Sequence, residues 1–201
     1  MKLYYAPGAC SLAPHILLRE TGLDFELEQV DLKNKKTASG ADFLRVNAKG
    51  YVPALELDDG NVLTEVAVIG QYLADLAPAA HLLPTSGMAR YRALEWLNFL
   101  ATEVHKGFGL LWNPSMPAEV KHLARSRLGD RFSYLSQALQ SSPYLPGPAF
   151  SAPDAYLFVL LNWCGLQQID LNAWPVLAEY RTRLAARPSV HAALQAEGLL
   201  R

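Results

Sequence analysis

Cys10 stands in Tyr4-Tyr5-Ala6-Pro7-Gly8-Ala9-Cys10-Ser11-Leu12-Ala13, where a short strand-like run passes through a Pro-Gly turn into a helical pattern. A thiol at such a junction meets unpaired backbone N–H groups and the positive end of a helix dipole, both of which favour thiolate over thiol. The position therefore predicts a reactive, low-pKa cysteine. Redox proteins that use this turn carry Cys-x-x-Cys, whereas Cys10-Ser11-Leu12-Ala13 lacks the second thiol. An exchange reaction here would need an external thiol, and glutathione is the abundant one in cytosol. The competing reading is a small buried apolar residue with no chemistry.

Three further groups have the types and spacing for binding a small peptide. Pro53 opens a strand in Lys49-Gly50-Tyr51-Val52-Pro53-Ala54-Leu55. On a thioredoxin-like sheet the bond before such a proline is cis and turns the Val52 N–H and C=O outward, where a peptide unit pairs like an added strand. An isolated X-Pro bond is more often trans and merely starts a strand, but the position of Pro53 decides against that here. Thr64-Glu65-Val66 begins a helix whose free N–H groups would take a carboxylate, while Glu65 would pair with an α-ammonium or simply complement the dipole. Asn98, Thr102 and His105 recur at i, i+4 and i+7 and make one polar stripe, from which His105 could donate to a sulfur. A solvated face is the alternative for that stripe.

The elements that must hold these groups read as β-α-β-α-β-β-α over the first part of the chain. Strand patterns cover Lys2 to Tyr5 and Glu26 to Leu32; Ser11 to Glu20 is helical and closed by Gly22; Ala41 to Val46 is a short helix. Pro53 to Leu57 and Asn61 to Leu63 flank the hairpin signal Asp58-Asp59-Gly60. Thr64 caps a helix through Asp75 whose inward face carries Ala67, Val68, Tyr72 and Leu73. A β-α-β unit joined to a β-β-α unit gives a four-stranded mixed sheet, an α/β thioredoxin-like domain over residues 1–78. Residues 79–87 read as a linker and 88–201 as an all-helical domain, with helices over Met88 to Leu111, Pro117 to Gln140, Ser151 to Gln167 and Trp174 to Ala186, and a short turn from Ser189. Ser151-Ala152-Pro153-Asp154 has the form of a capping box, which gives Asp154 a structural role.

Composition narrows the function. Lys plus Arg number 18 against 19 Asp plus Glu, with no dense basic run, so a nucleic-acid partner is excluded. No apolar stretch reaches the roughly 18 residues of a membrane span and no signal-peptide pattern precedes the first strand, which predicts a cytoplasmic protein. Cys10 and Cys164 offer no disulfide framework. The five histidines form no metal-ligand spacing, no G-x-S-x-G or glycine-rich phosphate loop occurs, and no metal is expected.

Taken together, Met1-Lys2-Leu3-Tyr4-Tyr5 with Pro7-Gly8-Ala9-Cys10-Ser11, the segment Asn47 to Pro53, Leu63-Thr64-Glu65, Gln71-Tyr72-Leu73-Ala74-Asp75, Trp96-Leu97-Asn98 with Glu103-Val104-His105-Lys106, and Ala196-Glu197-Gly198-Leu199 closely resemble the bacterial beta-class glutathione transferases. In that class a cysteine stands where others use tyrosine or serine. The resemblance implies a homodimer that conjugates glutathione, as co-substrate, to small hydrophobic electrophiles. Cys10 would meet the glutathione sulfur and exchange disulfides with it. Lys35, Val52 and Pro53 would hold the middle and glycyl end, and Glu65 and Val66 the γ-glutamyl end. Asn98, Thr102, Glu103 and His105 would approach from the helical domain, some across the dimer interface. Phe108, Leu111, Trp112 and Trp163 would line the second-substrate pocket. One residue departs from the family: Val66 replaces serine or glycine, and the missing hydroxyl bond is worth about 1 kcal/mol of glutathione binding. Two other functions fit the same features, glutathione-dependent reductive dehalogenation and a non-catalytic binding protein of this fold.

Overall fold

In the computed structural model, which describes residues 1–200, alternating apolar positions form a mixed sheet of five strands. The strands are β1 (Lys2–Tyr5), β2 (Glu26–Asp31), β3 (Lys36–Thr37), β4 (Ala54–Glu56) and β5 (Val62–Thr64), in the order β3-β2-β1-β4-β5. β1 runs parallel to β2 and antiparallel to β4, the mixed pattern that a β-α-β unit followed by a hairpin must give. The two-residue β3 is a fifth strand beyond the four expected. It forms because Val30 and Asp31 pair back onto Thr37 and Lys36. The expected short helix at Ala41 to Val46 is instead a 3-10 turn, Phe43–Arg45, capped by the Asp42 side chain, and it drives Phe43 into the core with Tyr4, Val30, Val52 and Ala54.

α1 (Leu12–Thr21) presents a continuous apolar run to the sheet and ends at Gly22, whose φ of 67° accounts for glycine there. α2 (Val66–Leu76) starts one residue later than the sequence suggests, since Thr64 still belongs to β5 and Glu65 is the cap. Its buried face is Val66, Ile69, Gly70, Leu73 and Ala74; of the four residues expected there, Leu73 is buried, Ala67 and Tyr72 are half-buried, and Val68 is exposed.

The remaining helices are α3 (Gly87–Phe99), α4 (Lys106–Trp112), α5 (Ala118–Gln140), α6 (Ala152–Leu166), α7 (Pro175–Ala185) and α8 (Pro188–Ala196). The chain divides into two compact units, Met1–Leu83 together with the chain from Arg187 onward, and Pro84–Ala186. That division differs from the expected 79–87 linker and 88–201 helical domain. The terminal turn anticipated from Ser189 is a full helix, α8, and it packs on α1 within the first unit. Glu20 anchors it there, accepting from Arg187 and from the Ser189 hydroxyl.

In the second unit α6 is buried along nearly its whole length. Its capping box forms as expected. The fully buried Asp154 accepts from the N–H groups of Ser151 and Leu145 and from the hydroxyls of Ser151 and Tyr180, at 2.6–2.9 Å. Burial raises the Asp154 carboxyl against the pull of these bonds, and burial with that neighbouring carboxylate raises the Tyr180 phenol further.

Candidate functional site

Within the first unit, β1 ends at Tyr5 and the chain turns through Pro7-Gly8-Ala9 into α1. The Ala9 and Cys10 carbonyls already accept from Leu12 and Ala13, so Cys10 lies in the opening turn. The Ser11 side chain does not cap the helix. It bonds the Ala6 backbone and pins the loop to the end of β1. From the other side the Gly8 N–H donates to Glu197, whose carboxylate also holds the buried His15 at 2.8 Å, while Arg19 donates to the far nitrogen of His15. Gly8, at φ 70°, takes a conformation that a side chain would oppose.

Cys10 is half-buried, and its Sγ lies 3.2 Å from the Val52 carbonyl. Only a protonated thiol can donate that bond. Burial pushes the Cys10 thiol up to about 12, with the Glu65 carboxylate adding to the rise, while the N–H groups of Cys10 and Ser11 pull it down. The low-pKa thiol expected from the helix start is therefore corrected: the amides act as anticipated, but desolvation outweighs them.

Val52 and Pro53 are joined by a cis bond and buried where β4 begins. Because Ala54 pairs with Thr64, the chain places this corner beside Glu65. Glu65 is exposed, with φ of 72°, an unfavourable left-handed backbone for a residue with a side chain. Its carboxylate takes an ion pair from Lys49 at 2.6 Å, and the same Nζ reaches Thr64 Oγ1 at 2.7 Å. Lys49 was not singled out in the sequence, although its place in the segment leading to Pro53 was a usable signal. Lys35 Nζ donates to the Gly50 carbonyl at 2.9 Å and lies over the exposed ring of Tyr51. Val66 starts α2 with its side chain buried. The first unit thus brings Cys10, Val52, Pro53, Glu65 and Val66 together around the β4–β5 corner, with Lys35 and Lys49 bracing the loop before it.

In the second unit the predicted continuous helix is interrupted. Leu100–His105 is a π-helical turn, in which the Lys106 N–H reaches the Ala101 carbonyl, between α3 and α4. The wide turn breaks the i, i+4, i+7 register that the sequence implied. Asn98 and Thr102 are exposed, and the Thr102 hydroxyl bonds the Asn98 carbonyl. Glu103 pairs with Arg131 of α5 at 2.8 Å. His105 is the half-buried member, with Nδ1 2.6 Å from the Tyr156 hydroxyl and its ring edge-on to Trp163 at 4.9 Å. Trp163 also meets Phe108 and Trp112, at 5.4 and 5.8 Å. Leu111 is buried, as are Phe108 and Trp163, whereas Trp112 is 45 % exposed. Among the described residues no group of three or more His, Cys, Asp or Glu side chains is arranged to hold a metal ion.

Known proteins resemble this chain along nearly its whole length. The profile of the family described as Glutathione S-transferase, N-terminal domain, matches residues 8–76. Glutathione S-transferase GstA of Escherichia coli O157:H7 is 48% identical over 99% of this chain and all of its own length. The chain belongs to the glutathione S-transferase family. Among solved structures, a sphingomonad glutathione S-transferase complexed with glutathione superposes with a TM-score of 0.96 at 48% identity, covering 100% of both chains. The bacterial beta-class glutathione S-transferase of Sphingomonas chungbukensis does so with 0.96 at 47%, again over 100% of both. The thioredoxin-like sheet followed by a helical unit is the glutathione S-transferase fold, and the resemblance to the beta class read from Cys10 and its surroundings holds.

Proposed function

We propose that this glutathione S-transferase conjugates reduced glutathione to small hydrophobic electrophiles. The observation that carries the reading is the Cys10 thiol set against the Val52 carbonyl at the corner of cis-Pro53, with Glu65 at the start of α2, in a chain nearly half identical to a named transferase. Glutathione would lie along this corner as an added strand, its cysteinyl unit on the Val52 backbone and its γ-glutamyl end at Glu65 and the Val66 N–H, with Lys35 toward the glycyl carboxylate. Asn98, Thr102 and Glu103 would add contacts to the peptide, and His105 would donate to its sulfur. Of the four residues expected to line the second-substrate pocket, Trp112 alone is exposed and would meet the electrophile, while Phe108, Leu111 and Trp163 are core residues that pack behind it.

In the reaction the glutathione thiol loses its proton to water and the thiolate attacks the electrophilic carbon. The new C–S bond forms as the carbon–halogen bond breaks, the electron pair leaving on halide. Hydrogen bonds to the sulfur lower the cost of the thiolate. The raised Cys10 thiol favours conjugation over disulfide exchange or reductive dehalogenation, since both of those need a cysteine thiolate as attacking group. We assign the active form as a cytoplasmic homodimer; among the described residues no helix is long and apolar enough to cross a membrane.

Turnover of a nitro-activated aryl chloride with glutathione tests the reading. Saturable formation of the thioether is expected, with His105→Ala lowering kcat about tenfold, the effect of losing about 1.4 kcal/mol in the transition state. Glutathione binding without thioether formation would make the chain a binding protein instead.

A further inference from the structure

Tyr156 has no role in the site so far, yet it makes a short contact with His105, the imidazole proposed to serve the glutathione sulfur. It projects from the buried middle of α6, itself 2% exposed, and its hydroxyl lies 2.6 Å from His105 Nδ1, the two rings meeting at 87°. Trp163, seven residues on along the same helix, closes on the His105 ring at 4.9 Å and 72°. One face of α6 therefore supplies both the hydrogen-bonding partner and the packing partner of the imidazole.

The direction of the hydrogen bond follows from the chemistry of the two groups. A neutral imidazole nitrogen is a far better acceptor than a phenol oxygen, while the phenol, with an ordinary pKa of about 10, is the better donor. With the Tyr156 proton directed at Nδ1, the ring's own proton must sit on Nε2.

We propose that Tyr156 is a positioning residue that holds neutral His105 in the Nε2–H tautomer, so that His105 presents a hydrogen-bond donor, and no basic lone pair, to the sulfur it serves. The hydrogen bond within α6 and the π-turn stands on geometry alone; its consequence for catalysis rests on the role proposed above for His105. In that role the imidazole stabilises the thiolate and does not take the thiol proton, which passes to water.

The test is ring nitrogen NMR on the full-length enzyme labelled with 15N-histidine, at a pH about two units above the ordinary histidine value of about 6.5. The His105 signals are assigned by their loss in His105→Ala. The expected pattern in the wild type is a protonated Nε2 and a bare Nδ1. Tyr156→Phe, which keeps the ring and its packing, should shift the signals toward a mixture of tautomers. It should also lower kcat about fivefold, with KM for glutathione within twofold. A wild-type His105 protonated on Nδ1, or signals unmoved by Tyr156→Phe, would overturn the proposal, and the wild-type spectrum decides even if the variant does not fold. If His105→Ala instead retains full kcat, the catalytic role of His105 fails while the tautomer assignment is judged by the spectra alone.

Discussion

Alkylation of Cys10 in the absence of glutathione should be slow at neutral pH and keep accelerating beyond the range of an ordinary thiol. The Sγ–H donates to the Val52 carbonyl at 3.2 Å, the half-buried side chain is desolvated by its surroundings, and Glu65 adds negative charge nearby. Together these raise the thiol from 9.0 to about 12. At pH 8 an ordinary thiol is about one-tenth ionised, whereas a thiol near 12 is ionised to about one part in ten thousand. Because the thiolate is the nucleophile, and a more basic thiolate is intrinsically more reactive, iodoacetamide should react about thirtyfold more slowly than with a small thiol. Timed alkylation at pH 7, 8, 9 and 10, followed by peptide mass mapping to separate Cys10 from the buried Cys164, measures this directly. The rate should rise about tenfold per pH unit across the series. A plateau below pH 9, or a rate at pH 7 matching the small thiol, would refute the reasoning and show that the helix-start amides dominate. The same shift has a stability counterpart. The folded thiol holds its proton more tightly than the unfolded one, so its contribution is complete below pH 9 and is lost as pH rises toward 12.

Asp154→Ala should lower the unfolding free energy by about 3–5 kcal/mol in urea titration, because the Leu145 and Ser151 amides and the Tyr180 hydroxyl lose a buried acceptor together; a loss under about 1 kcal/mol would contradict that. Val66→Ser should lower KM for glutathione with kcat within about twofold, since the residue lies at the γ-glutamyl end in the proposed pose and acts on ground-state binding. An unchanged KM would show that valine is tolerated. Glu197→Ala should cost about 2–4 kcal/mol by unpairing the Gly8 N–H and buried His15, and thermal melting compared with wild type would reveal it. Sedimentation equilibrium at micromolar concentration should give twice the chain mass, and a single-chain mass would end the homodimer assignment.

Much of the fold could be read from the chain because it is written locally. The Asp58-Asp59-Gly60 turn, the Gly22 stop and the Ser151–Asp154 box are each decided within a few residues, and each forms where expected. What escaped depends on distant partners. β3 is two residues that become a strand only by pairing with Val30 and Asp31. The π-turn follows a sequence of good helix formers, so nothing in Leu100 to His105 distinguishes it from an ordinary helix, and the supposed polar stripe dissolved with it. The residues of the candidate site were legible as types, but not their environment. The helix-start amides pull the Cys10 thiol down as their dipoles dictate, but burial outweighs them, and the Val52 carbonyl and Glu65 carboxylate that join in come from 42 and 55 residues away.

The return of α8 to the first unit has a consequence for how the protein is made. The loop that carries Cys10 is tied through Gly8 to Glu197 across 189 residues, and His15 to the same carboxylate across 182. During synthesis the β4–β5 hairpin can form from local contacts, but the carboxylate that fixes the cysteine loop emerges 189 residues after Gly8. The nascent chain therefore carries an unbraced cysteine turn until α8 is made and packs on α1. Loss of a handful of carboxy-terminal residues would leave every predicted glutathione contact encoded while leaving the loop that presents Cys10 without its anchor.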